Sequence, residues 1–198
     1  MSKDKDAYQP TFHAPSQAAW REWLVENHAT EKSVWLIIYK MDSGVESVYY
    51  DAAVDTALCF GWVDSSIRKR DGESYLQYFS ARNPKSNWSR VNKEKIARLQ
   101  AEGRLEPAGE EMVRIARNTG TWDALNNVED GVIPDDLGAE LAKYPAARAH
   151  FKAFPRSVKR GILEWILNAK REPTRAKRIA ETARLAQDKV RANQYERK

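Results

Sequence analysis

The sequence has little of what most catalytic and metal sites require. Its single cysteine, Cys59, excludes an internal disulfide. The three histidines, His13, His28 and His150, lie far apart in the chain, so they predict neither a zinc site nor a Ser-His-Asp triad. No glycine-rich loop of the phosphate-binding or dinucleotide-binding kind occurs. We therefore expect no metal and no cofactor.

The sequence also lacks any apolar run near the roughly 20 residues that a membrane helix needs. The charged segment from Met1 to Asp6 is not followed by an apolar stretch, so it does not predict a secretion signal. A single cysteine without an export signal is typical of the reducing cytoplasm. We expect a cytoplasmic protein with no membrane span; the sequence does not indicate its oligomeric state.

Positive charge is concentrated at the C-terminal end. Residues 148–198 contain 15 Lys and Arg against 5 Asp and Glu, whereas the first 147 residues carry an excess of acid. Several interpretations stay open: a surface for nucleic acid, a surface for an anionic membrane, a face that packs on the acidic N-terminal part, and a solvated face. The predicted basic patch consists of Lys170, Arg171, Arg175 and Arg178.

The hydrophobic pattern predicts an α+β fold. β-prone runs at Ser33–Lys40, Trp62–Arg68 and Ser74–Phe79 indicate a small, mostly antiparallel sheet over about residues 33–79, packed with helices. Asp71-Gly72 predicts a hairpin between the last two strands. Helical periodicity dominates the rest of the chain. The predicted organisation is a flexible lead-in at 1–14, an α+β domain at 15–125, a linker at 126–136, a helical C-terminal part at 137–190 and a frayed tail at 191–198.

A polar stretch from Phe79 to Asn92 follows the last predicted strand and ends inside a predicted helix. Such a junction brings backbone N–H groups, hydroxyls and cations together, which suits an anion. We expect a small anionic ligand, with Arg82 binding its charge and Trp88 stacking on it. The predicted ligand-binding residues are Lys40, Asp64, Arg82, Ser86, Trp88, Ser89 and Asn92.

Five of these residues also have a purely structural interpretation. Ser86 and Ser89 are suitable helix caps, and Trp88 can close the edge of the sheet. Asp64 and Lys40, at or near strand ends, can simply face water. A third hypothesis is an enzyme of unknown reaction with Asp64 or Lys40 as its acid–base group, which requires a strongly shifted pKa in a closed cleft.

Three segments carry a resemblance to a known family. They are YDAAVDTALCFGWVD from Tyr50 to Asp64, FSARNPKSNWSRVN from Phe79 to Asn92, and WILNAKREPTRAKRI from Trp165 to Ile179. In spacing and residue type they resemble the YdeI/OmpD-associated family, also called OmdA-like or bacteriocin-protection proteins. The likeness extends over about Trp20 to Gln187.

This resemblance implies a bacterial cytoplasmic protein linked to tolerance of antimicrobial peptides and envelope stress. It implies no established reaction and no catalytic residues. The preferred hypothesis is therefore a stress-tolerance protein that acts by binding a small anionic ligand. The alternatives are an enzyme that uses Asp64 or Lys40, and a nucleic-acid binder that uses the C-terminal basic patch.

Overall fold

The computed structural model describes residues 10–193. It has a four-stranded sheet with helices and a helical C-terminal part, which confirms the predicted α+β class. The chain divides into two compact units between Asp123 and Ala124.

The sheet of the first unit has four strands in the order β1-β2-β4-β3. These are β1 (Thr11–His13), β2 (Ser33–Tyr39), β3 (Trp62–Lys69) and β4 (Ser74–Ala81). β2 runs antiparallel to β4 and β4 antiparallel to β3, but β1 pairs with β2 in parallel, so the sheet is mixed. β1 lies in the segment that was expected to be a flexible lead-in. Its backbone pairs with β2 from Trp35 to Ile37, so these residues form part of the sheet.

β2 is a central strand, and its two faces differ. Val34, Leu36 and Ile38 are buried in the core. On the opposite face Trp35 is covered by side chains of neighbouring strands. Its ring lies 4.8 Å from that of Tyr78 and 4.6 Å from the Arg68 guanidinium carbon. Side chains rather than helices therefore shield this side of Trp35.

The described residues of the first unit also form a short 3-10 helix (Met41–Ser43) and four α-helices: α1 (Gln17–Asn27), α2 (Tyr50–Cys59), α3 (Arg90–Ala101) and α4 (Pro107–Thr119). The hydroxyl of Ser16 accepts the amide of Ala19 and caps α1. The core combines aliphatic side chains of the helices and β2 with large aromatics, and its largest fully buried members are Trp20, Trp62, Trp88 and Phe79.

The second unit is helical among its described residues. Its helices are α5 (Asn126–Glu129), α6 (Asp135–Leu141), α7 (Ala147–Ala153), α8 (Arg156–Leu167) and α9 (Glu172–Gln187). The predicted linker at 126–136 contains α5, and its Val128 is buried in this unit's own core. Ala192 is buried as well, within the predicted frayed tail; residues 194–198 of that tail lie outside the described residues.

Gly109 of α4 lies where α4 approaches the backbone of α2, and Gly161 of α8 has open space around it. A Cβ at Gly109 of α4 would overlap the carbonyl oxygen of Cys59, whereas a Cβ at Gly161 of α8 would meet nothing within 4 Å. We expect Gly109→Ala to lower the free energy of unfolding by about 1–3 kcal/mol, because backbone must move. Gly161→Ala, the matched control, should raise it by about 0.5–1 kcal/mol. Urea denaturation measures both; equal effects would contradict a close approach of α2 and α4.

Candidate functional site

Arg82, the residue expected to bind an anion, lies inside the first unit. Only 6% of its surface is exposed. Its guanidinium carbon lies 3.7 Å from the centre of the Trp88 ring, and its Nη2 donates to the carbonyl of Asn87 at 2.7 Å. Its buried Nε has no hydrogen-bond partner among the described residues. These contacts direct the guanidinium inward.

Burial also determines the electrostatics of Arg82. Loss of hydration lowers its pKa to about 10, and the negative charge of Asp64 opposes this shift. The side chain therefore remains a cation at neutral pH inside the protein, where stacking on Trp88 and the bond to Asn87 stabilise it. This environment is typical of a residue that supports the fold.

The serines of the same segment bond to nearby residues. Ser86 Oγ donates to the carbonyl of Asn83 at 2.7 Å, and Ser89 Oγ accepts the backbone amide of Asn92 at 3.3 Å as the N-cap of α3. Trp88 is buried in the core against Trp122. In the structure Ser86 stabilises a turn, Ser89 caps a helix and Trp88 packs in the core. These are the structural interpretations that the sequence left open beside ligand binding.

Lys40 is not brought to the other predicted residues. Ser33 and Tyr39 of β2 lie opposite Ser80 and Ser74 of β4, so Lys40 and Arg82 follow opposite ends of the sheet, about 30 Å apart at the usual rise per residue. Lys40 Nζ donates instead to the carbonyl of Gly72 in the β3–β4 hairpin. The prediction that Lys40 lies beside Arg82 and Asp64 is therefore wrong, because the register of the strands separates Lys40 from them.

Asp64, one of the predicted ligand-binding residues, lies in a cleft. The cleft has a volume of about 450 Å³ and opens on the helix-covered face of the sheet, beside the start of α2. We call it the Tyr50–Asp64 cleft. Its lining residues are Tyr50, Asp64, Ser65, Ile67, Tyr75 and Gln77.

The strand register explains why these side chains meet. Asp64 lies opposite Phe79 and Ile67 opposite Gln77, and directly opposed residues project from the same face of a sheet. Phe79 is fully buried, so this is the face that the helices cover. A bulge in β3 between Asp64 and Ile67 shifts the register there and lets both residues point to this face.

A hydrogen bond organises the polar part of the cleft. The hydroxyl of Tyr50 donates to Asp64 Oδ2 at 2.8 Å. Partial burial, reinforced by this bond and by the negative charge of Asp64, raises the pKa of Tyr50 to about 12. Burial also raises the pKa of Tyr75. Both phenols are therefore neutral at physiological pH, and Asp64 is the one charged side chain in the lining.

The predicted basic patch of the second unit is partly engaged. Arg175 binds both carboxylate oxygens of Asp136, at 2.7 and 3.0 Å, and this pairing lowers the pKa of Asp136. Arg178 donates to the carbonyl of Trp165 and lies over its ring, 4.8 Å from the centre. Arg171 precedes α9 as its N-cap residue and Lys170 lies just before it. Two of the four cations thus stabilise packing between helices.

Two features are absent from the part of the chain that the structure describes, a metal-binding cluster and a membrane-spanning helix. Residues 10–193 contain no group of three His, Cys, Asp or Glu side chains placed to hold a metal ion. None of the helices formed by those residues is both long and apolar enough to cross a membrane.

Two family models match parts of the chain. Residues 12–112, just over half of the chain, match the family model described as a domain of unknown function (DUF8412). The chain belongs to this family. Residues 130–189 match the model described as bacteriocin-protection, YdeI or OmpD-associated. No curated protein and no solved structure matches the chain.

These matches refine the resemblance noted in the sequence. The YdeI/OmpD-associated likeness is confirmed, but its match covers 130–189, within the second unit, rather than about Trp20 to Gln187. The Tyr50–Asp64 cleft lies within the DUF8412 match. The two units thus correspond to two different family models.

Of the six residues that line the cleft, the sequence predicted Asp64 as a binding residue and did not predict Tyr50, Ser65, Ile67, Tyr75 or Gln77. Tyr75 and Gln77 alternate with Phe79 in β4, so period-two spacing already places them on one face. The position of Tyr50 beside Asp64 depends on how α2 lies against β3, which the sequence does not specify.

Arg82→Ala should destabilise the protein by about 1–3 kcal/mol, because it removes a buried stacking contact and the bond to Asn87. Lys85→Ala, an exposed change in the same segment, should cost less than about 0.5 kcal/mol. Urea denaturation of both variants measures the difference. If the urea midpoint of Arg82→Ala equals that of the unmodified protein, Arg82 does not stabilise the fold, and ligand binding would again be its preferred interpretation.

Ultraviolet titration tests the Tyr50–Asp64 bond. One tyrosine should ionise near pH 12, and Tyr50→Phe should remove that transition. In Asp64→Asn the pKa should fall but stay above 10, because the carboxylate charge is lost while burial, the larger cause, remains. A transition that Asp64→Asn leaves unchanged would show that Asp64 does not act on Tyr50.

Proposed function

We propose that this protein acts by binding a small organic ligand in the Tyr50–Asp64 cleft. One observation carries the proposal: a carboxylate, fixed by a tyrosine hydroxyl at 2.8 Å, lies in a cleft of about 450 Å³. Orientation of the carboxylate before the ligand arrives lowers the entropic cost of binding.

The composition of the lining supports this function. Tyr50, Tyr75 and Ile67 supply aromatic and aliphatic surface, while Asp64, Ser65 and Gln77 supply a few polar groups. Small-molecule sites typically combine apolar walls with a small number of placed polar groups, and their volumes are about 300–1,000 Å³. The cleft falls within that range.

The proposed site differs from the one the sequence indicated. An anionic ligand was expected between Phe79 and Asn92, but the guanidinium of Arg82 is buried and Ser86 and Ser89 bond to nearby backbone. In the cleft the lining charge is negative. The geometry therefore favours a ligand held by Asp64 over an anion held by Arg82.

The biological role we propose is tolerance of antimicrobial peptides and envelope stress, in the cytoplasm. The match of residues 130–189 to the family described as bacteriocin-protection, YdeI or OmpD-associated supports the tolerance role. The lone cysteine supports the compartment, since it is buried and its pKa is raised by burial, as expected for an inert thiol.

A second candidate is an enzyme that uses the same cleft. The hydrogen bond from Tyr50 to Asp64 favours it, because an acid and a phenol in contact can relay a proton. Lys40 takes no part in this version, since it lies at the other end of the sheet. The nucleic-acid alternative is weakened because Arg175 and Arg178 already bind groups of their own unit.

A fragment screen followed by nuclear magnetic resonance tests ligand binding. Fragments that perturb resonances of Tyr75 and Gln77 should bind about tenfold more weakly to Tyr75→Leu, which removes an aromatic wall. Tyr78→Leu is the matched control, because Tyr78 follows Gln77 directly and its side chain lies on the opposite face of β4. This variant should leave the affinity unchanged. Affinities that respond equally to both variants, or to neither, would refute binding in the cleft.

A further inference from the structure

We propose that the ligand of the Tyr50–Asp64 cleft carries a positively charged nitrogen, an alkylammonium or a guanidinium, which pairs with the carboxylate of Asp64. This inference rests on the proposed function, since it names the chemical class bound at the same site. Three observations carry it: the charge of the lining, the free oxygen of Asp64, and the aromatic walls.

The lining has a single charge, and it is negative. Tyr50, Ser65, Ile67, Tyr75 and Gln77 are neutral at physiological pH. A charged guest that leaves water for this cleft is favoured only if it compensates the carboxylate, because an unpaired charge near an apolar wall is costly. An anion would add repulsion to that cost.

One oxygen of Asp64 remains for the ligand. Oδ2 accepts the Tyr50 hydroxyl, and Oδ1 accepts no hydrogen bond from any residue that the structure describes. Tyr50 thereby fixes the plane of the carboxylate, so that Oδ1 is oriented before binding. Charge-assisted hydrogen bonds from N–H groups to carboxylates are among the strongest that proteins form.

The surrounding charges leave room for a further cation. Arg82 lowers the negative potential at Asp64, but it forms no ion pair with Asp64 and stays on Trp88 and the Asn87 carbonyl. Lys69, opposite Tyr75 on this face, is exposed and can turn toward water. Asp51 adds negative charge near Tyr50, but it is paired with Lys95, whose Nζ lies 3.4 Å from Asp51 Oδ1. The charge that faces a ligand in the cleft is therefore that of Asp64, which lines it.

The walls suit an organic cation better than a metal ion. Two phenol rings line the cleft, and a cationic nitrogen is attracted to the face of an aromatic ring. Ile67 adds an aliphatic surface for the carbon chain of the ligand. A bare metal ion would require several oxygen ligands and would gain nothing from these walls.

Three probes of one chain length separate the class of ligand from the existence of the site. Hexylamine, hexanol and hexanoate differ in the charge of the head group and share the alkyl chain. In a nuclear magnetic resonance titration of the full chain, hexylamine should bind about tenfold more tightly than hexanol, and hexanoate should bind most weakly.

Variants of the full chain assign the preference to Asp64. Asp64→Asn keeps the shape of the side chain and removes its charge, so hexylamine and hexanol should bind with equal affinity. Asp42→Asn, at an exposed acid of the first unit, changes the net charge equally and should preserve the preference. If both variants lose the preference for hexylamine over hexanol, the preference reflects nonspecific charge attraction, and the inference is overturned.

The outcomes distinguish the inference from the proposed function. If hexanol perturbs the cleft as strongly as hexylamine, the site exists but its ligand is not a cation. If none of the three probes perturbs Tyr75 or Gln77, the proposed function fails together with the inference. A final comparison of 1,4-diaminobutane with a lysine-containing tripeptide identifies the source of the nitrogen, a free amine or a peptide side chain, by whichever binds more tightly.

Discussion

The stacking of Arg82 on Trp88 fixes the passage from the sheet to the helices in the first unit. Arg82 follows β4 directly and its backbone amide bonds to the carbonyl of Gly61, so the end of β4 is tied to the start of β3. Trp88, one residue before the cap of α3, completes the contact. A cation buried against an aromatic ring needs a defined geometry, and this requirement positions both β4 and α3.

Much of the fold could be predicted because its signals are local. The runs that became β2, β3 and β4 are rich in β-branched and aromatic residues, and Asp71 accepts the backbone amides of Glu73 and Ser74 in the predicted hairpin. β1 was missed because three residues carry almost no periodicity, and its parallel pairing with β2 is a long-range contact.

The candidate site was harder to predict, and the reason is physical. Polar residues crowded between Phe79 and Asn92 have two uses, a ligand or their own turns and caps, and local hydrogen bonds need no partner from elsewhere. Asp64 was identified because an acid in an apolar strand is unusual. Its partner Tyr50 was not, since the contact depends on a helix position and on a bulge. Lys40 was misplaced because residue type does not specify which end of a sheet a strand terminus reaches.

The bulge in β3 has an effect on the solubility of the chain as well as on the cleft. β3 is an edge strand, and an edge strand exposes unpaired backbone groups to other molecules. Its outer part carries the exposed Lys69, and the bulge interrupts the regular ladder shortly before it. A neighbouring copy therefore finds neither a continuous row of donors and acceptors nor an uncharged rim, which disfavours edge-to-edge polymerisation.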